Sequence, residues 1–235
     1  NDTIMNDTIM NDTIMNDTIM NDTTVKFNLI VAVCNNYGIG KNGNLPWKIK
    51  MDMEYFYKNT TKLKQLSDDN HNHNHNHNNN NNHNPNNTFI KNAVIMGHNT
   101  WKSLPKKHAP LLKRDNLILS STLKIDTQFN DKYCIKSFNT IDDIIHYCIT
   151  NAIQYDTIWI IGGSSIYKQF LEKKVITDCY VTYINKEYEC DTFFEKLPEK
   201  EWTLISNDSV ITDDAICVEF KIFRSILYNS GSIFI

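Results

Sequence analysis

Four short runs of almost unbroken apolar, β-branched residues limit what this chain can fold into: FNLIVAVC at Phe27–Cys34, NAVIMG at Asn92–Gly97, NLILS within Lys113–Ser120, and TIWII at Thr157–Ile161. A strand with one wet face alternates apolar and polar side chains. These runs do not alternate, so both faces of each have to be covered, and helices are what cover the faces of a parallel sheet. Helical patterns do stand between the runs. Met51 to about Gln65 is one, and HNTWKSL after Gly97 is a short second. Thr140, an N-cap followed by Asp142 and Asp143, opens an amphipathic third that continues to about Ile153. Gly162 and Gly163 turn the fourth run into SSIYKQFLEKK, and Tyr133–Phe138 is a weaker strand. Asp178–Asn185, Trp202–Ser206 and Ile216–Arg224 then read as strands with no helix between them. The expectation is an α/β fold with a mostly parallel central sheet and an antiparallel C-terminal edge.

Two stretches stand apart from this pattern. Residues 1–20 are four copies of NDTIM, and a fifth begins at Asn21. A period of five matches neither helix nor strand, so no continuous apolar face forms. Residues 67–87, SDDNHNHNHNHNNNNNHNPNN, are too polar to offset the entropy of ordering them. Loop closure costs only logarithmically more as a loop lengthens, so this tract is expected as a disordered insertion between two elements. His71, His73, His75 and His77 could capture a transition metal as an affinity tag does, yet nothing there fixes a coordination geometry, and no metal site is expected. The expected organisation is an extension over 1–25, one domain over 26–226 that carries the insertion, and a tail over 227–235.

Bulk properties narrow the function class. A formal net charge of -3 supplies no basic field for nucleic acid or an anionic membrane. No apolar segment is long enough to span a bilayer. Cys34, Cys134, Cys148, Cys179, Cys190 and Cys217 form no C-x-x-C pair and mostly lie in strand-like runs, as buried free thiols in a reducing compartment would. A cytoplasmic protein without nucleic-acid or membrane partners is the expectation.

The stretch Asn44–Phe56, NLPWKIKMDMEYF, carries the chemistry. It places one acid, Asp52, among Leu45, Pro46, Trp47, Ile49, Met51, Met53 and Phe56. In a helix beginning near Met51, Asp52 and Phe56 are four residues apart and share a face. A carboxyl removed from water titrates closer to neutrality, which suits proton chemistry. The alternative is an exposed acid favoured by the helix dipole in a first turn. Just upstream, Gly38, Gly40 and Gly43 have the spacing G-x-G-x-x-G. A dinucleotide fingerprint would open straight into a helix and be followed about 20 residues later by an acid. Leu45, Pro46 and Trp47 intervene, and Lys58–Leu63 holds no acid, so a mobile loop closing over a site fits better.

Taken in order, IVAV at Ile30–Val33, GIGKNGNLPW at Gly38–Trp47, Asp52 with Phe56, VIMGHNTWKSLP at Val94–Pro105, NLILS, WIIGGSSIY at Trp159–Tyr167 and DTFF at Asp191–Phe194 resemble the dihydrofolate reductase family. The likeness runs from Asn28 to about Arg224, with the polar tract as an insertion. It implies a mostly parallel eight-stranded sheet flanked by about four helices. It also implies a monomer that reduces 7,8-dihydrofolate to tetrahydrofolate with NADPH, hydride passing to pterin C6 and a proton to N5. By the same resemblance Asp52 orients the pterin, Thr182 hydrogen-bonds that carboxylate, and Trp47 helps hold a nearby water. Ile30, Ala32, Leu45, Met53, Phe56, Leu104, Leu111 and Ile161 are implied to line the cleft, and Arg114 to bind the substrate α-carboxylate as a planar two-pronged donor.

The implied cofactor side comprises Ala32, Ile39, Gly43, Asn44, Gly97, His98, Asn99, Thr100, Ser120, Ser121, Gly162, Gly163, Ser164, Ser165, Ile166 and Tyr167. Helix N-termini at His98–Thr100 and Gly163–Ile166 suit a pyrophosphate, and the family joins the glycine pair by a cis peptide. His98 departs from the Arg or Lys usual there, and Ser121 stands where many members have a second Arg. Discrimination between NADPH and NADH is therefore expected to be weaker and to improve on acidification. The rival readings are a non-catalytic module, either a degenerate reductase fold that binds folate or a platform for self-association through the Asn/His tract, and a reductase of the same fold acting on another pterin or pyrimidine. Arg114 separates the second, since only a substrate with a carboxylate tail uses it.

Overall fold

A nine-stranded sheet forms the centre of the structure, a computed structural model that describes residues 25–62, 90–123, 125, 128–130 and 133–229. In chain order the elements are β1 (Lys26–Cys34), β2 (Gly38–Gly40), α1 (Lys50–Thr61), β3 (Lys91–Gly97), α2 (His98–Ser103), β4 (Asp115–Leu119), β5 (Gln128–Asn130) and β6 (Tyr133–Phe138). They continue with α3 (Ile141–Thr150), β7 (Tyr155–Ile160), α4 (Ser164–Glu172), β8 (Ile176–Ile184), β9 (Thr192–Phe193), β10 (Trp202–Ile211), β11 (Cys217–Ser225) and α5 (Ile226–Asn229). The order across the sheet is β10-β11-β8-β1-β7-β3-β4-β6-β5. Pairing is parallel from β8 through β6 and antiparallel for β11 and β10 at one edge. The eight expected strands are therefore present, and β5 adds a three-residue antiparallel ninth at the far edge. The four expected helices are α1 to α4, followed by the four-residue α5.

The non-alternating runs are covered on both faces, as their composition requires. Phe27, Leu29, Val31 and Val33 of β1 join Ile95, Leu117, Ile158 and Ile160 in a core that α3 and α4 close with Ile144, Ile145 and Phe170. Phe170 is fully buried with its ring centroid 6.3 Å from that of Phe27, and burial of such a ring stabilises by about 2–3 kcal/mol. On the opposite face Ile30, Val94, Met96, Ile118 and Trp159 lie under Tyr55 and Phe56 of α1. Thr140 caps α3 as expected, its hydroxyl accepting from the Asp143 N–H at 3.1 Å.

Element ends differ from the sequence expectation for tertiary reasons. Helix α1 stops at Thr61 because Asn92 Nδ2 on β3 donates to the carbonyls of Thr60 and Lys62, and Lys62 is extended. The residues expected to extend it to Gln65 lie outside the described ones. Helix α3 ends at Thr150, and Ala152–Gln154 form a separate 3₁₀ turn. Strand β10 runs to Ile211 rather than Ser206, since pairing with β11 continues past a bulge beside Leu204. The NDTIM repeats, the Asn/His tract and the end of the expected tail also lie outside the described residues.

Candidate active site

The glycine spacing upstream of the acid builds a hairpin. Asn42 and Gly43 both have positive φ, 49° and 75°, and Lys41 and Asn44 exchange backbone hydrogen bonds at 2.9 and 3.0 Å. That is the two-residue type I′ turn that Asn-Gly favours. No helix opens from it, so the dinucleotide-fingerprint reading of these glycines is set aside. The turn is tied to the segment before β9. Asp191 Oδ2 accepts from the Asn42 N–H at 2.7 Å, the Asp191 N–H donates to Gly40 at 3.0 Å, and Lys41 pairs with Glu189. Strand β2 pairs with β9, Gly38 opposite Phe193 and Gly40 opposite Thr192.

Beyond this loop the chain turns inward. Trp47 and Ile49 are buried, and α1 starts at Lys50 with Asp52 in its first turn. Asp52 is 7% exposed, so it is not the solvated first-turn acid of the alternative reading. Among the described residues no cation lies within ion-pair distance of it. Strand β8 contributes Thr182, 1% exposed, which pairs with Ala32 on β1 and Phe220 on β11. Burial pushes the Asp52 carboxyl from 3.8 up to about 6, against the opposing pull of the Thr182 hydroxyl and then the Trp47 indole. Among the described residues the indole N–H makes no hydrogen bond of ordinary geometry, so it acts on the carboxylate as a nearby buried dipole. Trp47 is held by the Tyr188 ring, centroids 5.4 Å apart.

The sequence-derived cleft residues largely come together. Phe56, Leu104, Leu111 and Ile161 are half-buried around Ile30, and Ala32 packs with Trp47 and Met51. Leu45 and Met53 stand at the solvent side, 50% and 52% exposed, rather than packed in the core. Arg114 is 3% exposed, and no carboxylate lies within ion-pair distance of it among the described residues. Its Nη1 donates to Thr60 and its Nε to the Leu112 carbonyl at 3.1 Å, while its guanidinium carbon lies 5.6 Å from the Phe56 ring centre and 5.7 Å from that of Tyr57. Burial draws its pKa from 12.5 down to about 10. Sequence reading missed Thr60 as the anchor of this cation, although 52, 56 and 60 recur at helical spacing on one face. It also missed Asn116, whose amide pins Leu111 by bonds of 2.9 Å in both directions.

At the C-terminal ends of the neighbouring strands β3 and β7, two helix N-termini meet. The Gly97 N–H donates to Gly162 at 2.8 Å, and the Gly162–Gly163 peptide is cis, as the resemblance implied. A Cβ at Gly97 would lie 2.9 Å from Ile166, and one at Gly163 would lie 3.4 Å from the Thr100 hydroxyl. Among the described residues no side chain caps α4 at Gly163, which leaves the N–H groups of Ser164 and Ser165 for an anion. His98 and Thr100 are half-buried and Asn99 exposed. Ser120 is buried and its hydroxyl accepts from the N–H groups of Thr122 and Leu123 at 3.2 and 2.8 Å, while Ser121 is exposed. The side chains of Ile166 and Tyr167 turn into the core, and the Tyr167 hydroxyl donates to the Ile30 carbonyl at 2.9 Å. Ile39 is half-buried against the main core, and Gly43 and Asn44 are exposed at the hairpin. The glycine cradle and free amides fit the diphosphate of a dinucleotide.

The family model described as dihydrofolate reductase matches residues 26–66 and 77–225. A dihydrofolate reductase of Heliothis virescens is 33% identical over 186 residues, covering 79% of this chain and 88% of that protein. One from Schistosoma mansoni is 37% identical over 174 residues, 74% of this chain and 80% of its own length. The chicken enzyme, from Gallus gallus, is 33% identical over 205 residues, 84% of this chain and 95% of that protein.

Proposed function

The chain belongs to the dihydrofolate reductase family, and on that premise we propose that the pocket around Asp52 is its catalytic centre, with NADPH as the cofactor. The reaction is reduction of dihydrofolate to tetrahydrofolate. The observation that carries the site assignment is the uncompensated burial of Asp52 beside Thr182 and Trp47.

A reduced nicotinamide supplies the hydride that reaches pterin C6. The protein's own residues orient the ring and manage the proton. Asp52 accepts hydrogen bonds from the pterin amino group and ring nitrogen, and Thr182 holds the carboxylate in place from β8. With its pKa near 6, the Asp52 carboxyl exchanges a proton at neutral pH with little driving force in either direction, which suits protonation of N5. The Trp47 N–H is a donor left for a bridging water at the same edge. Ile30, Ala32, Leu45, Met53, Phe56, Leu104, Leu111 and Ile161 enclose the rings.

Arg114 selects the substrate. A guanidinium buried without a carboxylate of its own is costly to maintain unless a ligand completes the pair, and the α-carboxylate of dihydrofolate is that partner. A pterin without such a tail leaves Arg114 unpaired. The cofactor diphosphate binds at Gly97, Gly162 and the amides of Ser164 and Ser165, and the 2′-phosphate at His98, Asn99, Thr100, Ser120 and Ser121.

The domain spans 26–226 and acts as a monomer in the cytoplasm. Six free thiols support a reducing compartment, and no described helix is long and apolar enough to cross a membrane. The test is to follow nicotinamide absorbance with dihydrofolate, with and without a diaminopteridine antifolate, for the wild type and Asp52→Asn. Antifolate-sensitive oxidation that the substitution abolishes supports the assignment. Equal rates for the two proteins refute it.

A further inference from the structure

Two cysteines that the catalytic reading leaves unused sit where the glycine loop meets the segment that pins it. Cys34, buried, ends β1, and Cys190, part exposed, precedes Asp191 and β9. Their sulfurs are 3.8 Å apart. Among the described residues this is the pair of cysteines in sulfur–sulfur contact, and both are free thiols. The surroundings are shaped to the pair. The Cys34 thiol donates to Asn36 Oδ1 at 2.9 Å, and the same oxygen accepts from the Gly38 N–H at 3.1 Å. Gly38 is a glycine because any Cβ there would collide with the Cys190 sulfur. Closing the gap to a disulfide of about 2.05 Å requires the sulfurs to approach by roughly 1.8 Å, within reach of a side-chain rotation at the part-exposed Cys190.

We propose that Cys34 and Cys190 form a reversible modification site, oxidised by a peroxide or a small disulfide to a cross-link that holds the glycine loop and slows turnover. With glutathione disulfide, the Cys190 thiolate attacks one sulfur and expels one glutathione thiolate. The Cys34 thiolate then attacks Cys190 Sγ, forms the protein disulfide and expels the second. Two protein thiols lose two electrons and two protons, and one disulfide becomes two thiols. With hydrogen peroxide the first attack gives a Cys190 sulfenic acid and one water, and attack by Cys34 releases a second water. Burial and the adjacent Cys34 raise the pKa of Cys190, so oxidation quickens as the solution becomes more alkaline.

The cross-link reaches the catalytic centre through short steps. Cys190 is two residues from Tyr188, whose ring packs on Trp47, and one residue from Asp191, which binds the hairpin. A bond from β1 to this segment therefore restrains the loop on both sides, and loop motion sets turnover in many enzymes. The effect on turnover rests on the reductase reading, whereas the cross-link does not.

The experiment treats the full chain with glutathione disulfide or with hydrogen peroxide at mildly alkaline pH. Peptides are mapped without reduction, and kcat and melting temperature are measured before and after dithiothreitol. The expected result is a Cys34–Cys190 peptide pair, kcat lowered about threefold or more, and a melting temperature higher by at least about 5 °C. Dithiothreitol reverses all three changes, and Cys190→Ser and Cys34→Ser each abolish them. Both thiols still free after treatment, or either sulfur joined to another cysteine, overturns the site. A cross-linked protein that turns over like the reduced one overturns the control of activity. A protein that forms the cross-link yet reduces no dihydrofolate in either state upholds the site and instead refutes the reductase reading.

Discussion

Replacing Asp52 with asparagine keeps the shape of the side chain and removes its charge, so the cost of burying that charge becomes measurable. Lifting a carboxyl from 3.8 to about 6 corresponds to about 3 kcal/mol of preference for the neutral form in the folded protein. Because the folded pKa lies above the unfolded one, the stability this group contributes is complete below about pH 4 and is lost as the pH rises through 6. The amide of the variant does not ionise and escapes the loss. Asp52→Asn should match the wild type below about pH 4 and exceed it by up to about 3 kcal/mol near pH 8, which is about 6–12 °C in melting temperature for a domain of this size. Other carboxylates titrate alike in both proteins, so the difference between paired melts isolates position 52. Activity moves the opposite way. An amide cannot store the proton or accept both pterin hydrogens, and kcat/KM should fall by roughly 10²–10³-fold. A variant that is less stable than the wild type near pH 8, or equally active, would refute the reasoning.

Arg114→Lys should raise KM for dihydrofolate about 10–100-fold with little change in kcat, because an ammonium cannot hold Thr60, the Leu112 carbonyl and a carboxylate together. Steady-state kinetics with a pterin lacking the carboxylate tail should show no such change. His98→Arg should strengthen the preference for NADPH over NADH by about tenfold, read from kcat/KM with the two cofactors, because a guanidinium grips a phosphate in two-pronged fashion. Gly162→Ala puts a Cβ at φ 108° and 3.0 Å from the Tyr167 ring. It should destabilise by about 2–4 kcal/mol in urea melts, with cofactor affinity falling as well.

The central strands could be read from sequence because burial on both faces leaves a direct mark, unbroken β-branched residues. The acid at 52 was legible for a similar reason, since its company and its spacing from Phe56 are local. What needed the structure was set by partners distant in the chain. Thr182 looks like any strand threonine until β8 pairs with β1 and brings it opposite Ala32. Asn92, from β3, decides where α1 ends, and no pattern inside the helix announces it. Strand β9 has two residues, too few for a period, and exists because the glycine hairpin supplies an edge to pair with. The full length of β10 was hidden because most of its side chains are exposed and carry no burial signal.

A ¹³C titration of selectively labelled aspartate carboxyls, with the Asp52 resonance assigned by its loss in Asp52→Asn, reads the protonation of that one group in the ligand-free protein. A midpoint near pH 6 is the expected result. A midpoint at or below about pH 4, where solvated aspartates titrate, would mean that the carboxyl is not sheltered, and the proton chemistry assigned to it would fail.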